Sequence, residues 1–195
     1  MDVTTSPVNR PLPRLARRTL VTLVGPAWRA RHHLEIRGGE RLPTRQEALI
    51  LACNHAAFVD TVHLSALIRP RVVFVGAKPR LYRDPLRRGV MAVGNVLRVD
   101  DRASYLRDTT ALLGRGQLLL CYPELGRNPD GLGDFSPWTA EAALTAGVDL
   151  LPLHLSGTGS AGGAIRLSVG ERLPPEGDAE GLTARLRAAI EDLGR

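Results

Sequence analysis

"ALILACNHAAFVDTVHLSALI", residues 48–68, is the stretch on which the fold turns. Its first six residues are continuously apolar, as expected of a strand covered on both faces. Its last nine, "DTVHLSALI", read as a helix. Between them stands a polar interruption: Asn54, His55 and, five residues after the histidine, Asp60. Buried strand, short connection and helix form the repeating unit of an α/β layer.

The same alternation extends in both directions. "LEIRG" before it reads as a short strand. After it come strands at "RVVFVG", "NVLRV", "QLLLCY", "VDLLPLHL" and "AIRLSV". Between them, "DPLRRGVMAVG" reads as a short helix with Asp84 as cap and Pro85 in its first position. "DRASYLRDTTALLGRG" reads as an amphipathic helix closed by glycine. "SPWTAEAALTAG" reads as a helix capped by Ser136 with Pro137 following. "AEGLTARLRAAIEDL" closes the chain with Leu182, Leu186, Ile190 and Leu193 on one side. The expected fold is therefore α/β, a single layered domain with a mostly parallel central sheet flanked by helices. No internal repeat is evident.

The 195 residues suit one domain with a small appendage. Residues 1–31 form a lead-in and residues 32–195 the domain proper. Within the lead-in, "RLARRTLVTLVGPAWRARHH" places Arg14, Arg17 and Arg18 on one helical face beside Leu15, Leu20, Leu23, Val24 and Trp28. Pro26 bends or ends that segment. A basic amphipathic helix suits an anionic membrane surface. A helix packed on the domain with its arginines in water is the alternative. "TLVTLVGPAW" is about half the length needed to span a bilayer. The start, "MDVTTSPVNR", lacks the apolar segment of a signal peptide. These features lead to the expectation of a cytoplasmic protein that lies on a membrane peripherally. Cys53 and Cys121 are the only cysteines, too few for a disulfide framework, and fit a reducing compartment. The formal charge is +6, and Lys78 is the only lysine, so arginine supplies planar donors suited to phosphate and carboxylate. Nucleic acid is a poor partner, because the charge is scattered and aromatics make up 4% of the chain.

In open α/β sheets, sites form beyond the carboxyl ends of the strands. Two polar clusters sit there: Asn54, His55 and Asp60 after one strand, and Pro123, Glu124 and Arg127 after another. Residues five apart on a helix point about 140° away from each other. His55 and Asp60 therefore meet only if the chain turns between them. An aspartate on one imidazole nitrogen fixes the tautomer and leaves the other nitrogen free as a base. Apart from Cys53, which reads as buried, no serine or cysteine nucleophile is indicated beside them, and such a pair suggests that a hydroxyl of the substrate is the attacking group. The alternative is a histidine capping a strand end and an aspartate capping a helix. Metal binding by Cys53, His55, Asp60 and His63 matches no strong zinc spacing.

These residues resemble the glycerolipid acyltransferase family, which includes enzymes that acylate 1-acylglycerol-3-phosphate. "NHAAFVD" fits the family's His-x4-Asp signature. "GAKPRLYRDPLRRGVMAVGNVLRVDDR" is similar to its second block, with one extra aspartate before Arg102. "YPELGRN" resembles the third, usually Phe-Pro-Glu-Gly-Thr-Arg-Ser, and "LLPLHLSG" the fourth. The resemblance implies transfer of an acyl group from a thioester, on coenzyme A or acyl carrier protein, to a lipid-like hydroxyl. His55 would be the base and Asp60 its orienter. Asn54, Lys78, Glu124 and Arg127 would bind substrate. No metal, cofactor or acyl-enzyme is implied. Leu125-Gly126 replaces the usual Gly-Thr, and "SPW" stands where a lysine pair is common, putting apolar bulk at Trp138 in the acceptor region. A non-catalytic lipid- or acyl-chain-binding protein on the same fold is the competing reading.

Overall fold

The computed structural model describes residues 33–57, 59–68, 72–77, 94–158 and 164–195, together with Pro26, Ala30 and Arg31. The basic helix of the lead-in lies outside these but for those three residues. The helix expected at "DPLRRGVMAVG" lies outside them but for Gly94, and Lys78 also lies outside them.

The described strands are β1 (Glu35–Arg37), β2 (Leu49–Cys53), β3 (Val72–Ala77), β4 (Val96–Arg98), β5 (Leu118–Cys121), β6 (Leu150–Ser156) and β7 (Arg166–Val169). The described helices are α1 (Asp60–Leu67), α2 (Arg102–Leu113), α3 (Trp138–Ala146) and α4 (Ala179–Leu193). Together the strands form one sheet in the order β1-β7-β6-β2-β5-β3-β4. Strands β6, β2, β5, β3 and β4 run parallel, while β7 is antiparallel to β6 and carries β1 with it. The sheet is thus mostly parallel with two reversed strands at one edge. Nothing in the local pattern announced that reversal.

β2 lies at the centre, and all five of its residues are fully buried. The pleat sends alternate side chains to opposite faces. Leu49, Leu51 and Cys53 join the apolar cluster that includes Leu64 and Leu67 of α1. Ile50 and Ala52 join the opposite cluster, with Leu112 of α2, Ala142 of α3, and Leu182, Leu186 and Ile190 of α4. Helices therefore cover both faces, which is why the strand reads as an unbroken apolar run.

α2 explains the extra aspartate of the second block. The Asp101 carboxylate accepts from the Ser104 amide at 2.8 Å, while Ser104 Oγ accepts from the Asp101 amide at 3.0 Å. This capping box fixes the helix start. Asp100 instead pairs with Arg98.

The strand register positions the site. Ala52 of β2 lies beside Cys121 of β5, and Cys53 beside Leu153 of β6. The chain therefore leaves β2 and β5 at the same level of the sheet. Residues 54–57, with Asp60 beyond them, and the loop 122–137 emerge as neighbours at the carboxyl edge.

Candidate active site

His55 follows β2 by two residues, and Asp60 opens α1. The turn between them, closed by the Asp60 amide donating to the Ala57 carbonyl at 3.1 Å, folds the carboxylate back over the turn. His55 Nδ1 and Asp60 Oδ2 are 3.0 Å apart. The same Oδ2 accepts from the amides of Ala56 and Ala57, each at 2.8 Å. Asp60 is 1% exposed and needs these donors, because a buried carboxylate without partners is costly. Its carboxylate thus bonds residues before it, which a helix cap does not do. Asp60 Oδ1 is buried with no hydrogen-bond partner. The His55 side chain keeps 16% of its surface exposed. With Nδ1 engaged, Nε2 is the nitrogen left for a substrate proton.

The two amides that follow the histidine, those of Ala56 and Ala57, are thus both bonded to Asp60.

The Asn54 side chain, expected at the substrate, is bonded to the backbone of the neighbouring strand β6. Its Nδ2 donates to the Leu155 carbonyl at 3.0 Å, and its Oδ1 accepts from the Leu155 amide at 2.7 Å. The side chain imitates one more rung of the β2–β6 ladder and fixes the direction in which the chain leaves β2 toward His55. Only 7% of Asn54 is exposed.

Glu124 is likewise turned inward. One carboxylate oxygen accepts from the His55 amide at 3.2 Å; the other accepts from the Asn128 side chain and from the Gly133 amide. The Asn128 amide returns a bond to the His55 carbonyl at 2.8 Å. The loop after β5 therefore grips the His55 peptide at both its N–H and its C=O. Arg127 of the same loop is exposed, with no ion pair among the described residues. It is the one expected substrate contact described here whose side chain remains available.

Trp138, expected as apolar bulk near the acceptor, packs inward in this structure. It opens α3 and meets Tyr105, with ring centroids 5.6 Å apart, against the second apolar cluster. Leu125 also packs toward that cluster, at φ 50°. This left-handed backbone suits the glycine common in the related block; here a leucine bears the strain. Pro137, rather than Ser136, occupies the cap position of α3.

Sequence reading missed Tyr122. Its ring stacks on the His55 imidazole, with centroids 4.0 Å apart and planes 17° apart, and its hydroxyl lies 3.1 Å from Thr61 Oγ1. The available signal was its position immediately before Pro123-Glu124, where the family usually has phenylalanine. Burial first, then the nearby Cys53, push its phenol well above its ordinary range, so it stays protonated.

Both thiols are buried. Burial raises Cys53, and Asp60 and Glu124 raise it further; burial pushes Cys121 up to about 12. Neither is poised as a nucleophile. Among the described residues, no three of His, Cys, Asp and Glu converge to hold a metal, and His63 is buried on α1. Among them also, no helix is long and apolar enough to cross a membrane.

A family model described as Acyltransferase matches residues 33–156, more than half of the chain. The chain is 28% identical over 174 residues to a 1-acyl-sn-glycerol-3-phosphate acyltransferase from Chlamydomonas reinhardtii, covering 82% of this chain and 52% of that protein. It is 29% identical over 134 residues to the chloroplastic 1-acyl-sn-glycerol-3-phosphate acyltransferase LPAT1 of Arabidopsis thaliana, covering 66% of this chain and 37% of that protein. The chain thus spans about half, or less, of the length of these curated relatives. The crystal structure of the 1-acyl-sn-glycerophosphate (LPA) acyltransferase PlsC from Thermotoga maritima superposes with a TM-score of 0.70 at 21% identity, covering 98% of this chain and 87% of that one. That likeness establishes the shared fold.

Proposed function

The chain belongs to the acyltransferase family, and from that premise we propose that it moves a fatty acyl group from a thioester to the hydroxyl of a lysophospholipid or related lipid-like alcohol. The observation that carries this reading is the His55 Nδ1–Asp60 Oδ2 pair, 3.0 Å long, at the carboxyl edge of the sheet. His55 Nε2 takes the proton of the acceptor hydroxyl as its oxygen attacks the thioester carbonyl carbon. Asp60 stabilises the imidazolium that forms. Collapse of the tetrahedral intermediate breaks the C–S bond, and the imidazolium proton passes to the departing thiolate. The products are an ester and a free thiol on coenzyme A or acyl carrier protein. The two inert cysteines favour this direct transfer over an acyl-enzyme. No cofactor beyond the thioester substrate enters the scheme.

Arg127 is the contact for a phosphate on the acceptor, with its planar guanidinium suited to bidentate binding. Lys78 is a second candidate from the sequence. Glu124 acts on the loop instead. The lost threonine hydroxyl and lysine pair weaken the case for a bare phosphomonoester, and the preferred acceptor is a less charged or bulkier lipid alcohol. The curated relatives are named for the phosphomonoester reaction, so that acceptor belongs in the same assay. The protein works peripherally on an anionic membrane surface, in the cytoplasm, with the basic lead-in as its contact.

The test is kcat/KM for 1-acylglycerol-3-phosphate against neutral and headgroup-bearing lysolipids with one acyl thioester. A better rate with the latter supports the altered acceptor. A clear preference for the phosphomonoester returns the chain to the reaction named for its relatives. Acyl-lipid binding with no thiol release from the donor, whichever acceptor is added, would instead favour a non-catalytic binding protein.

A further inference from the structure

We propose that Tyr122 is a positioning residue that holds both halves of the His55–Asp60 pair in register, by its ring on the histidine and by its hydroxyl on Thr61, the residue next to the aspartate. The inference rests on the acyl-transfer reading above and extends it to a residue outside the His-x4-Asp signature.

His55 and Asp60 sit on opposite sides of a turn. A single bond from Nδ1 to Oδ2 fixes one edge of the imidazole but leaves the ring able to tip about that bond. The Tyr122 face lies nearly parallel to it at 4.0 Å and blocks tipping on that side. The phenol reaches past the imidazole to Thr61, the residue directly after Asp60, at 3.1 Å. One side chain from the end of β5 thus touches the histidine and the first turn of the helix that carries the aspartate. Tyr122 also packs against the apolar cluster beneath α1, which keeps its own ring from moving.

The chemistry gives this stack a further use. The imidazole becomes an imidazolium during the reaction. The negative face of an aromatic ring favours that cation over the neutral ring, so the support strengthens as the proton moves. The phenol does not compete as an acid, since burial keeps it protonated and its hydroxyl faces Thr61.

The experiment measures kcat and KM separately, with one acyl thioester and the best acceptor of a panel of 1-acylglycerol-3-phosphate and neutral and headgroup-bearing lysolipids, for the wild type, His55→Ala, Tyr122→Leu, Tyr122→Phe, Thr61→Val and the Phe/Val double variant. Tyr122→Leu removes the ring at similar bulk. It lowers kcat about tenfold, the scale of a lost aromatic stack together with its preference for the cation, and leaves KM within about twofold. Tyr122→Phe keeps the ring and restores most of kcat, losing about two- to threefold. Thr61→Val loses a similar amount, and the double variant loses no more than either single one, because both remove the same bond. Tyr122→Leu with kcat near wild type overturns the proposal; so does a multiplicative loss in the double variant. The double-variant comparison stands even if Tyr122→Leu does not fold. Absence of transfer by the wild type, or retention of it by His55→Ala, overturns the acyl-transfer reading itself, and the His55→Ala control separates that failure from one confined to Tyr122.

Discussion

Replacing Asp60 by asparagine separates the charge of the carboxylate from its geometry. In a catalytic pair held by one bond, an amide can turn its NH2 group to the histidine and select the wrong tautomer. Here the Ala56 and Ala57 amides point at the same oxygen that His55 uses, each at 2.8 Å. An asparagine NH2 placed there would face three donors. The side chain must therefore put its oxygen at the Oδ2 position and keep the His55 tautomer. What is lost is charge. Hydrogen bonds to charged groups are worth about 1.5–3 kcal/mol and neutral ones about 0.5–1.5 kcal/mol, so the imidazolium loses about 1–1.5 kcal/mol of support. At about 1.4 kcal/mol per factor of ten, kcat falls about tenfold. The NH2 group then occupies the Oδ1 position, which is buried and has no partner. Because Oδ1 already lacks a partner, stability falls chiefly through the three bonds at Oδ2 that lose their charge, by about 1–3 kcal/mol, and Tm drops by several degrees. Thiol release at saturating donor and acceptor gives kcat, and thermal unfolding gives Tm. A kcat loss near ~10⁴-fold, the scale of a wrong tautomer, would refute the claim that the two backbone amides fix the orientation. An unchanged kcat would refute any role for the charge.

Three further outcomes follow from the same structure. Leu125→Gly relieves a left-handed leucine worth about 1–2 kcal/mol but gives up partial packing of similar size, so the denaturant midpoint shows a stability change within about 1 kcal/mol. Iodoacetamide at pH 8 labels neither cysteine in the native protein and both after unfolding, because burial raises both thiols above their ordinary range and closes access to them. Vesicle flotation recovers more protein with anionic than with neutral lipid, and high salt removes the difference, as arginines at a membrane surface contribute roughly 1 kcal/mol each before screening.

The fold was legible wherever burial leaves a local trace. The continuous apolar run of β2 and the one-sided leucines of α4 are written directly into short segments, and both elements form where expected. The pairing of His55 with Asp60 was legible because five residues suffice to bring them together around one turn. Long-range features were not. Tyr122 and Glu124 reach His55 only because β2 and β5 are adjacent and end at the same level; the Glu124 contact spans 69 residues. The partner of the Asn54 side chain was equally hidden. That partner, Leu155, is supplied by β6, 101 residues away. The contact of Trp138 with Tyr105 likewise joins α3 to α2 and leaves no local trace. The reversal of β7 is a matter of its antiparallel pairing with β6, which apolar patterning does not distinguish from a parallel one.

The central claim is that His55 removes the acceptor proton during direct transfer from a thioester. The most direct measurement is free-thiol release by His55→Ala and wild-type protein, with and without acceptor, on samples matched for Tm. The account predicts release by the wild type only when acceptor is present, and a loss of at least ~10²-fold in His55→Ala, the scale of general-base catalysis. Near-normal, acceptor-dependent release by His55→Ala would contradict it.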